Sequence, residues 1–363
     1  MSEFKAIKFD NNKSEFAKVL RKRVNGYFKE KNISKNSNFN MISKTVFMVS
    51  LYFIPFSFLV SGYIDSYLLN MTLWVLMGFG MSGIGMSVMH DANHGSYFKS
   101  KKVNDIVGQI IVFIGGNAIN WKLQHNVLHH TYTNIIGHDE DVDAGIVLRF
   151  SKEQPRKLHH GFQHIYAWFL YGLMTLSWLL SKDFIQLSKY NKKGLLKTQG
   201  ISMKKALFQL SFWKILYVVY VILIPAFFTS DYLLVISGVL LMQFIAGLFL
   251  TIVFLCAHIV DQTEFPLPDN KGVVNQNWYI HQLETTANFS NNKSFFSWFI
   301  GGLNYQIEHH LFPSICHVHY HDLSKIVKKT ALEYNVPYHA SNTFLGALNH
   351  HYKHLKLMGK KPV

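Results

Sequence analysis

The feature that most constrains this chain is a series of apolar runs whose lengths match a lipid bilayer. A hydrocarbon core about 30 Å deep takes roughly 20 apolar residues to cross as a helix. Runs of that kind lie at about 45–62, 68–89, 210–229 and 232–257. Backbone inside a bilayer must satisfy its own hydrogen bonds, so these runs are expected to be helices. The second carries Gly78, Gly80, Gly83 and Gly85, which let helices approach closely. Two further apolar stretches are too short or too polar to cross. Residues 106–119 are broken by Gly115-Gly116 and read as re-entrant or interfacial. Residues 166–180 follow Gln163 and His164, have basic flanks, and read as lying in the interface.

The distribution of charge tests this topology. With four crossings, the turns 63–67 and 230–231 face the outside, and they hold none of the 36 Lys/Arg. Both termini are then expected in the cytoplasm, in the inner membrane if the source is bacterial. The first 44 residues carry eleven Lys/Arg and no apolar h-region. They read as a cytoplasmic, partly helical leader, not a cleaved signal peptide. The expected domains are this leader (1–44), a four-span domain (45–340) and a basic tail (341–363). The net charge of +15 suits anionic lipid headgroups, and no motif points to nucleic acid. Two cysteines, Cys256 and Cys316, exclude a disulfide framework and a CxxC zinc site.

Three histidine clusters carry the chemistry: His90-xxx-His94, His125-xxx-His129-His130, and Gln306-xx-His309-His310. On a helix, residues four apart share a face, so each cluster presents its imidazoles together. Four crossings bring all three clusters to one membrane face and add His258 at the end of the fourth span. Eight imidazoles exceed what one four- to six-coordinate ion can use, which implies two metals. Neutral nitrogen ligands let iron change oxidation state and bind O₂, whereas a structural zinc site needs only four ligands and would favour Cys. Beside a bilayer, acyl chains are the nearest substrate, which suggests oxidation of unactivated C–H bonds.

These residues resemble the three histidine boxes of the membrane-bound fatty-acid desaturases in order, in spacing and in the two-span hairpin between boxes two and three. The resemblance covers about residues 45–340. Gln306 at the head of box three resembles the front-end subgroup (delta-6 and delta-5 types, including linoleoyl-CoA desaturase-like proteins). The resemblance implies four transmembrane helices with interfacial helices and a cytoplasmic helical cap around a di-iron centre. It implies O₂ as co-substrate and a fatty acyl chain, CoA- or lipid-linked, threaded into a bent apolar tunnel. Carried over position by position, it gives His90, His94, His125, His129, His130, His309 and His310 as ligands, with His258 as the isolated ligand. Gln306 is a ligand either directly or through water.

Many front-end relatives carry a fused cytochrome b5 domain with His-Pro-Gly-Gly. Here no Pro precedes Gly and the leader is short, so electrons are expected from a separate ferredoxin or cytochrome b5. Its acidic face would suit the basic surface.

Asp91, Asn93, Glu308 and the acidic run 139–143 are candidates to orient ligand imidazoles, the alternative for the run being a solvated loop. His281 is expected near the site, in packing or at the metal. The groups at 159–164, 317–321 and 350–354 are left outside it. A di-iron lipid hydroxylase or carotenoid-modifying oxygenase would share these boxes. A histidine-rich metal transporter would instead put ionisable ligands in mid-bilayer.

Overall fold

A computed structural model describes residues 5–10, 14–292 and 294–361. Residues 1–4 and 11–13 of the leader and 362–363 of the tail lie outside the described residues. The first described helix, α1 (Glu15–Glu30), is amphipathic and opens on a Ser14 N-cap. Four helices are long and apolar enough to span a membrane: α2 (Phe39–Leu59), α3 (Tyr67–Asn93), and later Met203–Thr229 and Tyr232–His258. Between the two pairs, α4 (Lys101–Ile114) and α5 (Ala118–Tyr132) meet at 111°. Residues 106–119 thus form the bend of a hairpin, with Gly115 at its apex in the left-handed region, φ +78°.

Residues 163–192 form helices α6 (Gln163–Gly172) and α7 (174–192), neither of which is both long and apolar enough for a span. The last two spans are α8 (Met203–Thr229) and α9 (Tyr232–His258). The remaining helices used below are α10 (Trp278–Glu284), α11 (Gln306–Leu311), α12 (Tyr320–Glu333) and α13 (Phe344–Gly359). Sheet among the described residues is limited to two short parallel pairs, Lys8–Phe9 with Val273–Val274 and Ala287–Phe289 with His339–Ser341.

Two span boundaries differ from the sequence reading. The first span, α2, begins at Phe39 because Asn38 accepts a bond from the Met41 amide at 3.2 Å. This places Lys44 inside the helix. The third span begins at Met203, where Ser202 caps it.

Burial explains the arrangement of the spans. The apolar window of α3 is 72% buried, against 28% for α2 and 22% for α8, so α3 is the central helix and the other two face lipid. Gly80 allows its closest approach: a Cβ there would stand 2.7 Å from the Tyr52 backbone nitrogen of α2. Trp74 of α3 lies over Gly238 of α9, where a Cβ would fall 2.2 Å from its indole.

The turn between α4 and α5 leaves backbone carbonyls among the spans, and buried side chains reach them. Lys214 of α8 donates to Gly115 O at 2.6 Å and to Trp178 O at 2.8 Å. It also pairs with Asp183 at 2.6 Å. Tyr52 Oη donates to Phe113 O at 3.0 Å. Non-helical backbone is tolerated among membrane spans only when it is satisfied in this way.

The leader is part of the fold. Phe16, Leu20, Val24 and Phe28 of α1 are buried against Leu283, Ile307, Leu323 and Val327, beside the third histidine cluster. The last helix, α13, packs on α6 and α9.

Candidate metal centre

α3 delivers the first cluster. Its last turns loosen into a π-helical segment, Ile84–Val88, in which Ser87 returns its hydroxyl to Gly83 O at 2.6 Å. His90 follows directly, with His94 as the helix's cap residue. α5 delivers the second cluster from a π-helical segment, Lys122–His129. The sequence reading assumed α-helical spacing there. Bonding i→i+5 adds a residue to each turn, so residues i+4 and i+5 straddle residue i. His129 and His130 thus both lie beside His125, with ring centroids 5.2 and 4.8 Å away. α11 delivers His309 and His310, and it ends at Leu311, two residues before Pro313. α9 ends on His258.

The eight histidines converge on one buried place. His90, His94, His125 and His309 present ring nitrogens within 4.8 Å of one another, and so do His129, His258 and His310. His130 joins the halves: its Nε2 lies 3.0 Å from His309 Nε2, and its ring lies 4.3 Å from that of His310. Seven of the eight carry a buried nitrogen with no hydrogen-bond partner, among them His94 Nε2, His125 Nε2, His129 Nε2, His258 Nε2 and His310 Nε2. Orphaned buried nitrogens are rare in folded proteins, and this many converging on one point fits a bound cation. Burial pushes the pKa of His94, His309 and His310 well below the usual histidine range, and neighbouring imidazoles push the same way. Each therefore stays neutral with a free lone pair, the form that binds metal.

The opposite ring nitrogens are held. Asp141 Oδ2 lies 2.8 Å from His125 Nδ1, and Asp139 Oδ2 lies 2.8 Å from His129 Nδ1. Gln282 Oε1 lies 2.8 Å from His310 Nδ1, and Thr285 O lies 3.3 Å from His258 Nδ1. Tyr320 Oη lies 3.2 Å from His309 Nδ1. Each acceptor fixes which nitrogen of the ring faces inward. The acidic run is accordingly divided. Asp139 and Asp141 hold imidazoles, while Asp143 is exposed and caps the Gly145 amide at 3.0 Å.

Asparagine at Asp139 keeps the shape but weakens the bond to His129 and admits the wrong tautomer. Metal affinity is expected to fall about 10- to 100-fold, read by metal analysis of the purified protein.

The other candidates are dispersed. Gln306 is buried on the wall of a cavity that also reaches His90 and His125. Asn93 turns away, donating to Gly108 O at 3.1 Å. Glu308 points to the far side of α11, where Asn288 donates to it at 2.7 Å and Tyr338 at 3.1 Å. Burial pushes its carboxyl up to about 8. His281 packs its ring 4.9 Å from Phe9 and belongs to none of the converging groups. The other histidine groups are mostly satisfied by backbone. His160 Nε2 lies 3.0 Å from Ile146 O, and His354 Nε2 lies 2.7 Å from Phe150 O.

Asp91 is bonded to His317, a residue the sequence reading set aside. His317 Nδ1 lies 2.9 Å from Asp91 Oδ2, and the other carboxylate oxygen is 3.6 Å from His90 Nδ1. Only its proximity to Pro313 and the third cluster could have marked it. Gln282 was likewise missed, though it sits beside the noted His281.

A cavity of about 140 Å³ opens beside His90 and His125. Met86, Met89, Trp121, Leu250 and Phe254 make it apolar, and Lys182 and Asp141 give it one polar margin.

Comparison with known proteins places these features. The fatty acid desaturase family model matches residues 66–342. The sn-1 linoleoyl-lipid 6-desaturase of Synechocystis sp. is 33% identical over 98% of both chains. That of Arthrospira platensis is 34% identical over 96% of this chain and 93% of its own. An acyl-lipid (8-3)-desaturase of Physcomitrium patens is 36% identical over 96% of this chain and 73% of its own.

Proposed function

The chain belongs to the fatty acid desaturase family, and on that premise we propose that it is a di-iron, O₂-dependent front-end desaturase acting on lipid-linked acyl chains. The observation that carries this reading is the convergence of eight imidazoles, seven of them from buried residues, beside an apolar cavity. His90, His94, His125 and His309 are one ligand set and His129, His258 and His310 the other, with His130 between them. A pair of irons held there would supply O₂ activation at neutral pH.

The chain's own residues do the rest. Asp139, Asp141, Gln282 and Tyr320 fix the imidazoles. Met86, Leu250 and Phe254 hold the acyl chain dry and extended past His90 and His125. Lys182 shares one helix face with Trp178 and Met174 on the same wall and takes the polar carbonyl end. A polar margin this close to the histidines suits a double bond placed near the carboxyl end. Lipid linkage rests on the acyl-lipid names of the relatives. The basic ends of the spans support a cytoplasmic side for the histidines and both termini.

Expression in a host that lacks the product, followed by gas chromatography and mass spectrometry of its lipids, tests this. The expected product is two hydrogens lighter than its precursor, with the new bond on the carboxyl side of an existing one. A product one oxygen heavier would make the enzyme a hydroxylase, and no change in host lipids would end the reading.

A further inference from the structure

A groove of about 810 Å³ lies near the histidine end of α2, outside the metal centre. Lys31, Asn40, Trp298 and Asp322 line it, and Lys44 and His317 form its floor. Lys44 and His317 are 1% and 4% exposed, so they are nearly closed off from solvent. A chain of polar contacts leaves that floor, hydrogen-bonded as far as Asp91. Lys44 Nζ lies 2.6 Å from His317 Nε2, and His317 Nδ1 lies 2.9 Å from Asp91 Oδ2. The same carboxylate accepts from the His317 amide at 3.1 Å and stands 3.6 Å from His90 Nδ1. The Trp298 ring covers Lys44 at 5.2 Å.

Burying a Lys–His–Asp array is costly unless every member is bonded. The fold holds it across three elements, α2, α3 and the loop before α12. Asp91, His317 and Cys316 also cluster tightly enough for a metal. His317 Nδ1 is already bonded to Asp91 and its Nε2 to Lys44, so this array is read as a connection.

Resting on the desaturase reading above, we infer that this groove receives the electron donor, an acidic one-electron carrier protein, and that His317 and Asp91 link it to His90. Each double bond requires this supply. O₂ takes four electrons and leaves as two waters; two come with the hydrogens of the acyl chain, and two come singly from donor molecules, with two protons from water. The rim fits such a partner. Lys31 is exposed at its edge and Lys35 is exposed nearby. Residues 1–44 hold eleven Lys/Arg against four Asp/Glu. Complementary charge of this kind raises association rates and makes them salt-dependent.

The experiment uses the iron-loaded full chain in nanodiscs of zwitterionic lipid, with an acidic [2Fe–2S] ferredoxin as donor. Lys31→Glu with Lys35→Glu is expected to weaken ferredoxin binding and raise its KM about tenfold at low salt while kcat holds. His317→Phe is expected to keep ferredoxin binding and two irons per chain. Reduction by ferredoxin should slow roughly tenfold, with reduction by dithionite slowing less than twofold. Should His317→Phe lose iron, His317→Gln, which keeps polar contacts on both sides, takes its place with the same expectation. Charge reversal without effect on ferredoxin binding, or equal slowing with both reductants, would overturn the inference. So would a groove charge that changes binding only to anionic vesicles. Absence of any unsaturated product in the unaltered protein would instead overturn the desaturase reading.

Discussion

Alanine at His310 is expected to abolish the unsaturated product and to strip metal from a protein that still folds. Gln282 holds His310 Nδ1 at 2.8 Å, so its Nε2 faces inward, where it is buried without a partner. That nitrogen belongs to the group with His129 and His258, and His310 also groups with His130 and His309. Its loss removes a proposed ligand at the junction of both groups. The fall in turnover should be at least about a thousandfold, beyond the 10- to 100-fold expected of residues that only orient a ligand. Bound metal should fall with it. The informative control is His351, equally buried but bonded to Ile259 O at 2.6 Å and Tyr171 Oη at 2.8 Å. His351→Phe should lower thermal stability and leave the bound metal in place. Equal metal loss in both variants would mean that burial, not ligation, is being measured.

The contrast between these two histidines shows what sequence can carry. Apolar length located all four spans, because the bilayer imposes it on composition directly. Spacing located the three clusters, because i, i+4 repeats survive in the primary sequence. Spacing did not reveal the π-turns at 84–88 and 122–129, since an extra residue per turn leaves no compositional mark. Nor could it separate Asp139 and Asp141 from a solvated loop. Their roles depend on the loop folding back over α5, a tertiary event. His317 was hidden for the same reason: its partners, Lys44 and Asp91, lie 273 and 226 residues away. The leader's amphipathic pattern is visible in sequence, but its partner, the core around Ile307 and Leu323, is not.

Methionine at Lys214 should produce the largest loss of stability among single changes at the membrane spans. The ammonium is 6% exposed and holds three groups at once: Asp183, Gly115 O and Trp178 O. Removing one member of a buried pair leaves the other charged and unpaired, which costs about 3–5 kcal/mol. Two carbonyls also lose a donor where no water replaces it. The thermal midpoint of the detergent-solubilised protein, compared at one scan rate, should fall by several degrees. Lys214→Met combined with Asp183→Leu should recover part of the loss, because the unpaired carboxylate is gone, but not all of it, because the two carbonyls remain bare. Activity should follow stability only in part. Gly115 is the apex of the hairpin that carries Trp121 and His125 to the cavity wall, so loosening it also moves the acyl site. A double variant no more stable than Lys214→Met alone would show that the carbonyls, not the ion pair, account for the cost.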